Sequence, residues 1–292
     1  MNNIPFARYL NTLFSLELFI IWLMGTAGTI IVGLIDSFLP SIIIGGILWC
    51  LMIWQGKKHY IDSSKRYWFG LLQLAACWTI FPLFKAIRLA FYSWSADALL
   101  FKWDTTFWYG ESLPLRAAKL HSPWLSEFIS FCYFSFYFLI IGSALFFFLQ
   151  RKNPHTKAYF FGLMLMYLIG FIGYFALPAA GPYAAYPEVF SYPVNDGAMT
   201  LFLTDMVAKG ITGMDVFPSL HSGITLYILG FLFLAGYKRV ALCLLPFAIG
   251  LIIATVYLHY HYGVDVLLGA VLAIFVLSFT VKQEKISHGS YL

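Results

Sequence analysis

The chain has 292 residues, of which 61% are hydrophobic and only 11% are charged. Soluble domains carry about 25% charged residues, so this composition provides too little polar surface for a water-soluble globule and predicts an integral membrane protein. The formal net charge of +5 does not indicate a nucleic-acid-binding protein, because the basic residues are scattered between apolar segments.

Eight apolar stretches have about the 20 residues that a helix needs to cross a bilayer. They predict an all-α fold class, a polytopic integral membrane helix bundle with about eight transmembrane helices in one continuous membrane domain. The predicted spans are residues 14–33, 38–55, 67–92, 128–149, 158–177, 217–236, 240–258 and 262–281.

Two parts are expected within this domain: residues 1–66, with two transmembrane helices, and residues 67–292, a six-helix core. The segment 93–127 mixes Trp, Phe and Leu with Lys, Arg and Asp, which predicts short helices lying along the outer membrane surface. The connection 178–216 begins with PAAGPYAAYP, whose turn-forming residues predict a non-helical start.

Basic residues predict the orientation of the chain. They precede the first stretch and follow the second, fourth, sixth and eighth, so all lie on one side if every stretch crosses. By the positive-inside rule this side, with both termini, is cytoplasmic. We expect a bacterial cytoplasmic membrane, with the opposite face toward the periplasm or exterior. The basic residues are Arg8, Lys57, Lys58, Lys65, Arg66, Arg151, Lys152, Lys157, Lys238, Arg239, Lys282 and Lys285.

The stretch FPSLHSG introduces polar residues at the outer end of the sixth predicted span. Pro218 suits the first turn of a helix, where its missing N–H removes no hydrogen bond. The free N–H groups of that turn form an anion site, to which Ser219 adds a hydroxyl donor. His221 can hold or donate a proton near neutral pH. The alternative is a helix start whose histidine only lies among the lipid headgroups.

The stretch YLHYHYGVD adds a second histidine and a carboxylate at the same face. His261 and Asp265 are four residues apart, so they share a face if both are helical. A carboxylate that accepts the Nδ1–H of the imidazole leaves Nε2 free as a nucleophile. The alternative is an interfacial histidine beside an aspartate that the helix dipole stabilises. His259 has no such partner and is interpreted as interfacial.

Together these motifs resemble the type-2 phosphatidic acid phosphatase superfamily, and more narrowly its inositol phosphorylceramide synthase-like branch. The likeness extends upstream to DALLFKWDTTFWYGESLP and LPAAGPY, so it covers most of the chain after the first two spans. The residues that match the family's second and third motifs are Pro218, Ser219, His221, His261 and Asp265, with Leu220 where the second motif has Gly.

The chain departs from the family pattern at the arginines. The Ser-Arg pair of the third motif falls on Ala254 and Thr255, and Pro182 and Tyr183 stand where such branches often carry Pro-Arg. The first motif is not present in its usual spacing. The positively charged part of the phosphate site is therefore unassigned, and Tyr183 is kept as a candidate for substrate binding.

Four basic residues are candidates for replacing these arginines. Lys85 and Arg88, three residues apart, point to one side of the third predicted span and are candidates for phosphate binding. Equally, both side chains can extend to the outer headgroups without touching a substrate phosphate. Arg116 and Lys119, in the surface segment, are weaker candidates for binding a lipid headgroup.

The resemblance implies phosphoryl transfer without a metal or other cofactor. His261 would attack phosphorus to form a phosphohistidine, with Asp265 orienting it. His221 would act as general acid and then general base, while Ser219 and helix N–H groups would hold the phosphate oxygens. The implied partners are a phospholipid or lipid phosphate, a lipid or alcohol acceptor or water, and the bilayer, with no nucleic acid.

Several functions remain open at this point. A lipid or alcohol acceptor makes the enzyme a transferase, which the branch resemblance and the long outer loops favour, whereas water makes it a phosphatase. A small transporter or flippase would instead use Lys85, Arg88 and Asp265 to line a polar path. A zinc site built from His259, His261 and Asp265 is less favoured, because side chains two apart on a helix diverge.

Overall fold

The computed structural model describes residues 4–59, 66–150, 153, 155–190 and 196–289. The described chain is all-helical, which confirms the predicted fold class. Of the predicted basic set, Lys65, Arg151 and Lys152 lie outside the described residues. The helices are α1 Ile4–Ile31, α2 Ile35–His59, α3 Arg66–Ile80, α4 Leu83–Phe91, α5 Asp97–Phe107, α6 Leu113–Ala118, α7 Pro123–Leu149, α8 His155–Ala176, α9 Pro182–Ala185, α10 Ala198–Gly210, α11 Leu220–Leu234, α12 Lys238–Tyr257 and α13 Gly263–Gly289.

The number of membrane-spanning helices is smaller than the eight predicted. Among the described residues, six helices are long and apolar enough to cross a bilayer, or seven if a bent pair counts as one span. The six are Tyr9–Ile31, Ile35–Trp54, Pro123–Leu149, His155–Ala176, Lys238–Tyr257 and Gly263–Thr280.

Two local features account for the difference. The third predicted span is the bent pair Trp68–Ile80 and Leu83–Phe91, whose axes differ by 53°. Pro82, at the break, has no N–H to continue the helical ladder. The sixth is helical only over Leu220–Leu234, 15 residues or about 22 Å, which is shorter than the ~30 Å hydrocarbon core.

The chain divides into two compact units. The first comprises the described parts of 1–92, 142–169 and 275–292, and the second those of 93–141 and 170–274. These units combine segments that are distant in sequence, whereas the predicted parts, 1–66 and 67–292, are continuous in sequence. The predicted division stays a prediction.

In the first unit, α1 and α4 pack closely because α1 carries small residues. A Cβ atom on Gly28 would lie 2.8 Å from the carbonyl oxygen of Ala86, and one on Gly25 would lie 2.5 Å from Cβ of Leu83. Small residues let two apolar helices approach to backbone contact, which is how helices without a polar face gain packing energy in lipid.

The second unit contains α5, α6, and α9 to α12, with parts of α7, α8 and α13. The short helices predicted for 93–127 are present as α5 and α6, and the non-helical start predicted after Pro178 is present up to Gly181. Some of its buried side chains form the following two clusters. One consists of Ile129, Tyr133, Tyr183, Leu203, Ala254, Tyr257, Leu258 and Tyr260, and the other of Ala96, Leu100, Ala179, Val216, Tyr262 and Val264.

Candidate functional site

The stretches FPSLHSG and YLHYHYGVD meet through a backbone hydrogen bond. The N–H of Ser219 donates to the carbonyl oxygen of Asp265 at 3.1 Å. Gly269, one turn further along α13, permits this approach, because a Cβ atom there would collide with the carbonyl oxygen of Ser219. The start of α11 is therefore held against the first two turns of α13, although 46 residues separate Ser219 from Asp265 in the chain.

Ser219 is the N-cap of α11. Its Oγ accepts a hydrogen bond from the N–H of Ser222 at 3.4 Å, and its backbone is extended. Pro218 therefore lies before the cap and not in the first helical turn, where it was predicted. The predicted contact of Ser219 with phosphate stays a prediction, and its hydroxyl already has this structural partner.

His261 and Asp265 form the pair that their spacing indicates. Nδ1 of His261 lies 3.1 Å from Oδ1 of Asp265, while Oδ2 of Asp265 accepts the N–H of Tyr262 at 3.0 Å. His261 is 3% exposed and Asp265 is fully buried. When Nδ1 donates to the carboxylate, Nε2 is left with a lone pair.

The geometry of this pair differs from the predicted helical one. His261 precedes α13, which begins at Gly263, so the two residues do not share a helix. A turn holds the imidazole instead, since the N–H of His261 donates to the carbonyl oxygen of Thr255 at 2.9 Å. The rigid end of α12 thus positions the histidine, and the first turn of α13 positions its partner.

His221 lies beside this pair. The ring centroids of His221 and His261 are 5.6 Å apart. Nε2 of His221 lies 3.1 Å from the hydroxyl of Tyr133, and its ring packs against Phe136 with centroids 4.4 Å apart. His221 is only half-buried, whereas His261 is buried. The three residues His221, His261 and Asp265 therefore meet at one point of the second unit.

Asp97, at the start of α5, holds the segment around this site. Its carboxylate accepts the N–H groups of Ala180 at 2.8 Å and Gly181 at 2.9 Å, the hydroxyl of Tyr262 at 2.9 Å, and the hydroxyl of Ser95. Four donors compensate the loss of hydration of a carboxylate that is 4% exposed. Asp97 thus ties the LPAAGPY segment to the residue that follows His261.

Asp104, two turns further along α5, holds the start of α13. Its Oδ1 accepts the N–H of Val264 at 2.9 Å and its Oδ2 the N–H of Leu113 at 2.8 Å. Burial raises the pKa of Asp104, and these N–H donors oppose that shift. The carboxylate is placed at the positive end of the helix that carries Asp265.

A family comparison covers the two histidines, Asp265 and Asp104. A family model described as the PAP2 superfamily matches residues 98–279, well over half of the chain. The chain belongs to the PAP2 superfamily. The match includes all of α5 except Asp97, α6 to α12, His221, His261 and Asp265. No curated protein and no solved structure matches the chain significantly. The inositol phosphorylceramide synthase-like branch stays a prediction.

The two acidic residues of α5 were not among the residues predicted for the PAP2 superfamily site. A signal for them exists in the sequence: Asp97 and Asp104 are seven residues apart, so they share one face of a helix. The structure buries that face, while Leu99 and Trp103 are exposed. Both aspartates of α5 therefore lie on its inner face, contrary to the expectation that charged residues of a helix face water, whereas Lys102 is exposed.

The predicted substrate-binding residues of this PAP2 superfamily protein have different surroundings. Tyr183 packs against Tyr260, which packs against Tyr133 in turn, with ring centroids 5.1 and 5.0 Å apart. Arg116 donates to the carbonyl oxygen of Trp108, and Lys119 lies 2.5 Å from Glu111. Tyr183 is thus connected to His221 only through the rings of Tyr260 and Tyr133. Arg116 and Lys119 have protein partners on the surface. Contact of all three with substrate stays a prediction.

Lys85 and Arg88 lie on α4, in the first unit and outside the PAP2 superfamily match. Both side chains are half-buried. Nη1 of Arg88 donates to the carbonyl oxygen of Tyr92 at 2.5 Å, so it satisfies an acceptor at the C-terminal end of its own helix. Their role as phosphate ligands stays a prediction.

His259 is buried in the protein, in contrast to the predicted interfacial position. It is 5% exposed, packs against Phe190, and neither ring nitrogen has a hydrogen-bond partner among the described residues. Its carbonyl oxygen accepts the N–H of Tyr183 at 3.0 Å. The zinc site suggested for His259, His261 and Asp265 is not supported, since no three metal-binding side chains in the described chain are arranged to hold an ion.

The burial of His259 makes the protein sensitive to acid. Burial, and secondarily the charge of His121, lowers the pKa of His259 from 6.5 to about 4. Below pH 6.5 His259 binds a proton in the unfolded chain but stays neutral in the folded chain. The free energy of unfolding therefore decreases as the pH falls from 6.5 to 4, by up to about 3 kcal/mol. We expect His259→Phe to remove this part of the acid sensitivity.

Thermal unfolding in detergent at pH 7, 6, 5 and 4 measures this effect. The matched control is Asp205→Asn, which changes an exposed titratable residue in the same unit. If His259→Phe loses as much stability between pH 6.5 and 4 as the wild type, His259 does not carry the effect.

Proposed function

We propose that this PAP2 superfamily protein is a membrane-embedded lipid phosphotransferase or phosphatase that acts through a phosphohistidine on His261. The observation that carries the proposal is the 5.6 Å separation of the ring centroids of His221 and His261, with Asp265 bonded to the second ring. A phosphoryl group lying beside the two neighbouring rings would reach a nitrogen of each at roughly 3 Å between heavy atoms.

In the first step, Nε2 of His261 attacks phosphorus and the bond from phosphorus to the lipid oxygen breaks. His221 gives its proton to that oxygen as the lipid alcohol leaves. Asp265 keeps the proton of His261 on Nδ1 and stabilises the positive charge that develops on the ring. The N–H groups of the first turn of α11 supply donors for the phosphate oxygens.

In the second step, an acceptor hydroxyl attacks phosphorus and passes its proton to His221, while the N–P bond breaks and His261 is regenerated. Water as acceptor gives a phosphatase, and a lipid or alcohol gives a transferase. We favour the transferase, because Asp265 is fully buried and His261 is 3% exposed. A site that excludes bulk water suits a bound acceptor better than hydrolysis.

We place the site at the outer face of a bacterial cytoplasmic membrane. Lys238 and Arg239 begin α12, and His261 follows its end. The 20 residues of α12 span about 30 Å, which is the thickness of the hydrocarbon core. If Lys238 and Arg239 are cytoplasmic by the positive-inside rule, His261 faces the periplasm or exterior.

Product analysis tests the reaction. Purified protein is incubated with a phospholipid or lipid phosphate labelled in the phosphate, with and without candidate lipid alcohols. We expect a labelled product lipid that requires the alcohol, and a loss of about 10²–10⁴-fold in rate for His221→Gln, with His121→Gln as control. Free phosphate as the sole product would contradict the transferase, and unchanged turnover by His221→Gln would contradict the mechanism.

A further inference from the structure

His221 lies against α7, a helix outside the stretches that the sequence analysis singled out. The ring of His221 packs on those of Tyr133 and Phe136, with ring centroids 4.9 and 4.4 Å apart. Tyr133 and Phe136 are three residues apart on α7 and therefore lie on the same side of that helix. Two rings from one helix thus hold the imidazole of His221, which is only half-buried.

A hydrogen bond engages one nitrogen of this imidazole. The hydroxyl of Tyr133 lies 3.1 Å from Nε2 of His221. Tyr133 is 4% exposed, so bulk water does not compete for that hydroxyl. In the part of the chain that the structure describes, no group is hydrogen-bonded to Nδ1 of His221. Nδ1 is therefore the ring nitrogen that remains for a substrate.

The two histidines of the site have partners of different charge. Nδ1 of His261 lies 3.1 Å from the carboxylate of Asp265, whereas Nε2 of His221 lies beside a neutral phenol. A carboxylate stabilises a positively charged imidazole more than a phenol does. A nucleophile that becomes positively charged when phosphorylated benefits from the carboxylate. A residue that gives up a proton in one step and takes one in the next benefits from the neutral partner, which holds neither state too strongly.

The second step of the proposed reaction decides the direction of the bond between Tyr133 and His221. If the phenol donated to Nε2, the proton of the neutral imidazole would be on Nδ1. Neither nitrogen would then have a lone pair for the proton of the acceptor hydroxyl. If Nε2–H donates to the phenol oxygen instead, Nδ1 has a lone pair in the neutral ring and a proton in the charged ring. Only this arrangement serves both steps.

We propose that Tyr133 is a positioning residue, whose hydroxyl oxygen accepts the Nε2–H of His221 and so makes Nδ1 the nitrogen that exchanges protons with the substrate. This rests on the proposed function. In the first step, the bond from Nδ1 to its proton breaks and the proton passes to the departing lipid oxygen. In the second step, the lone pair of Nδ1 takes the proton of the acceptor hydroxyl. Tyr133 keeps its own proton throughout.

The dependence on the leaving group tests this role, because a merely structural residue would affect all substrates alike. Tyr133→Phe keeps the ring and removes only the hydroxyl. With a phosphate-labelled lipid, we expect the rate of phosphoenzyme formation to fall about tenfold, without a change in the half-saturating lipid concentration. With an aryl phosphate, whose phenolate leaves without a general acid, the rate should stay within about twofold of the wild type. Equal losses with both substrates overturn the proposal.

Tyr257→Phe is the matched control. Tyr257 is a buried tyrosine of the same cluster as Tyr133, but its hydroxyl is bonded to the N–H of Ser122 and to Oγ of Ser126, each at 3.1 Å. Removing this hydroxyl should leave the ratio of the lipid rate to the aryl phosphate rate unchanged. A change in that ratio as large as the change in Tyr133→Phe would show that any lost buried hydroxyl has this effect, and would overturn the proposal.

Proton–nitrogen NMR of the full-length, ¹⁵N-histidine-labelled protein in detergent tests the ring without turnover. The signals of His221 are identified by their loss in His221→Gln. In the neutral ring of the wild type, we expect the proton on Nε2, protected from exchange with water, and this protection should be lost in Tyr133→Phe. A neutral ring with its proton on Nδ1 overturns the proposal, even if Tyr133→Phe does not fold.

These measurements separate the inference from the proposed function. A protected Nε2–H that depends on Tyr133, in a protein that turns over no lipid, supports the placement of His221 by Tyr133 and contradicts the proposed function. Turnover that depends on His221 and His261 but not on the hydroxyl of Tyr133 overturns the inference and leaves the proposed function standing.

Discussion

Replacing His261 by glutamine should lower turnover by about 10³-fold or more and abolish the trapping of phosphorylated protein. Glutamine keeps a polar side chain of similar length but has no nitrogen lone pair to attack phosphorus, so no covalent intermediate can form. The measurement is an alkaline detergent quench of the reaction with phosphate-labelled lipid, followed by detection of base-stable, acid-labile label on the protein. A variant that retains both turnover and label would exclude His261 as the nucleophile.

The leaving group distinguishes the roles of the two histidines. His221 is needed to protonate an alkoxide, and an aryl phosphate leaves without that help because its phenol is far more acidic. With an aryl phosphate, His221→Gln should regain most of the wild-type rate of phosphoenzyme formation, whereas His261→Gln should not. Equal responses of the two variants would contradict the assignment of His221 as general acid.

Replacing Asp97 by asparagine should destabilise the fold by about 3 kcal/mol or more and inactivate the protein. The amide has one acceptor oxygen, whereas the carboxylate receives donors from Ala180, Gly181, Tyr262 and Ser95. Each buried donor that loses its acceptor costs about 1–3 kcal/mol. Activity should fall as well, because these donors hold the segment that packs around His261.

Thermal unfolding in detergent measures this loss. Asp205→Asn is the matched control, since that aspartate is exposed on α10 and its ion pair with Lys209 is worth little. A midpoint for Asp97→Asn that equals that of Asp205→Asn would show that α5 does not hold the site together.

Composition and short-range spacing were sufficient for the class of protein and for part of the site. A chain with 11% charged residues cannot cover a soluble globule, so an apolar helical bundle follows directly. The spacing of His261 and Asp265 predicted their pairing because residues four apart are neighbours in a helix and also across a tight turn. The PAP2 superfamily match agrees with the family to which the two motifs pointed.

Hydropathy and spacing alone did not determine where the apolar helices break or which polar side chains are buried. Hydropathy counted eight spans because it measures length and apolarity, but Pro82 bends one stretch and the cap at Ser219 shortens another. His259 looked interfacial because its burial depends on Phe190, which is 69 residues away in sequence.

The orientation of α5, which supports the site, was likewise not determined by the sequence pattern. The periodicity of α5 places Asp97 and Asp104 on one face, yet it does not say whether that face meets water or protein. The structure turns it inward, where donors from the LPAAGPY segment and from the start of α13 satisfy both carboxylates. A helical pattern determines which side chains share a face. Whether a charged side chain on that face is solvated, or is buried and hydrogen-bonded in support of the histidines, depends on the segments that pack against it.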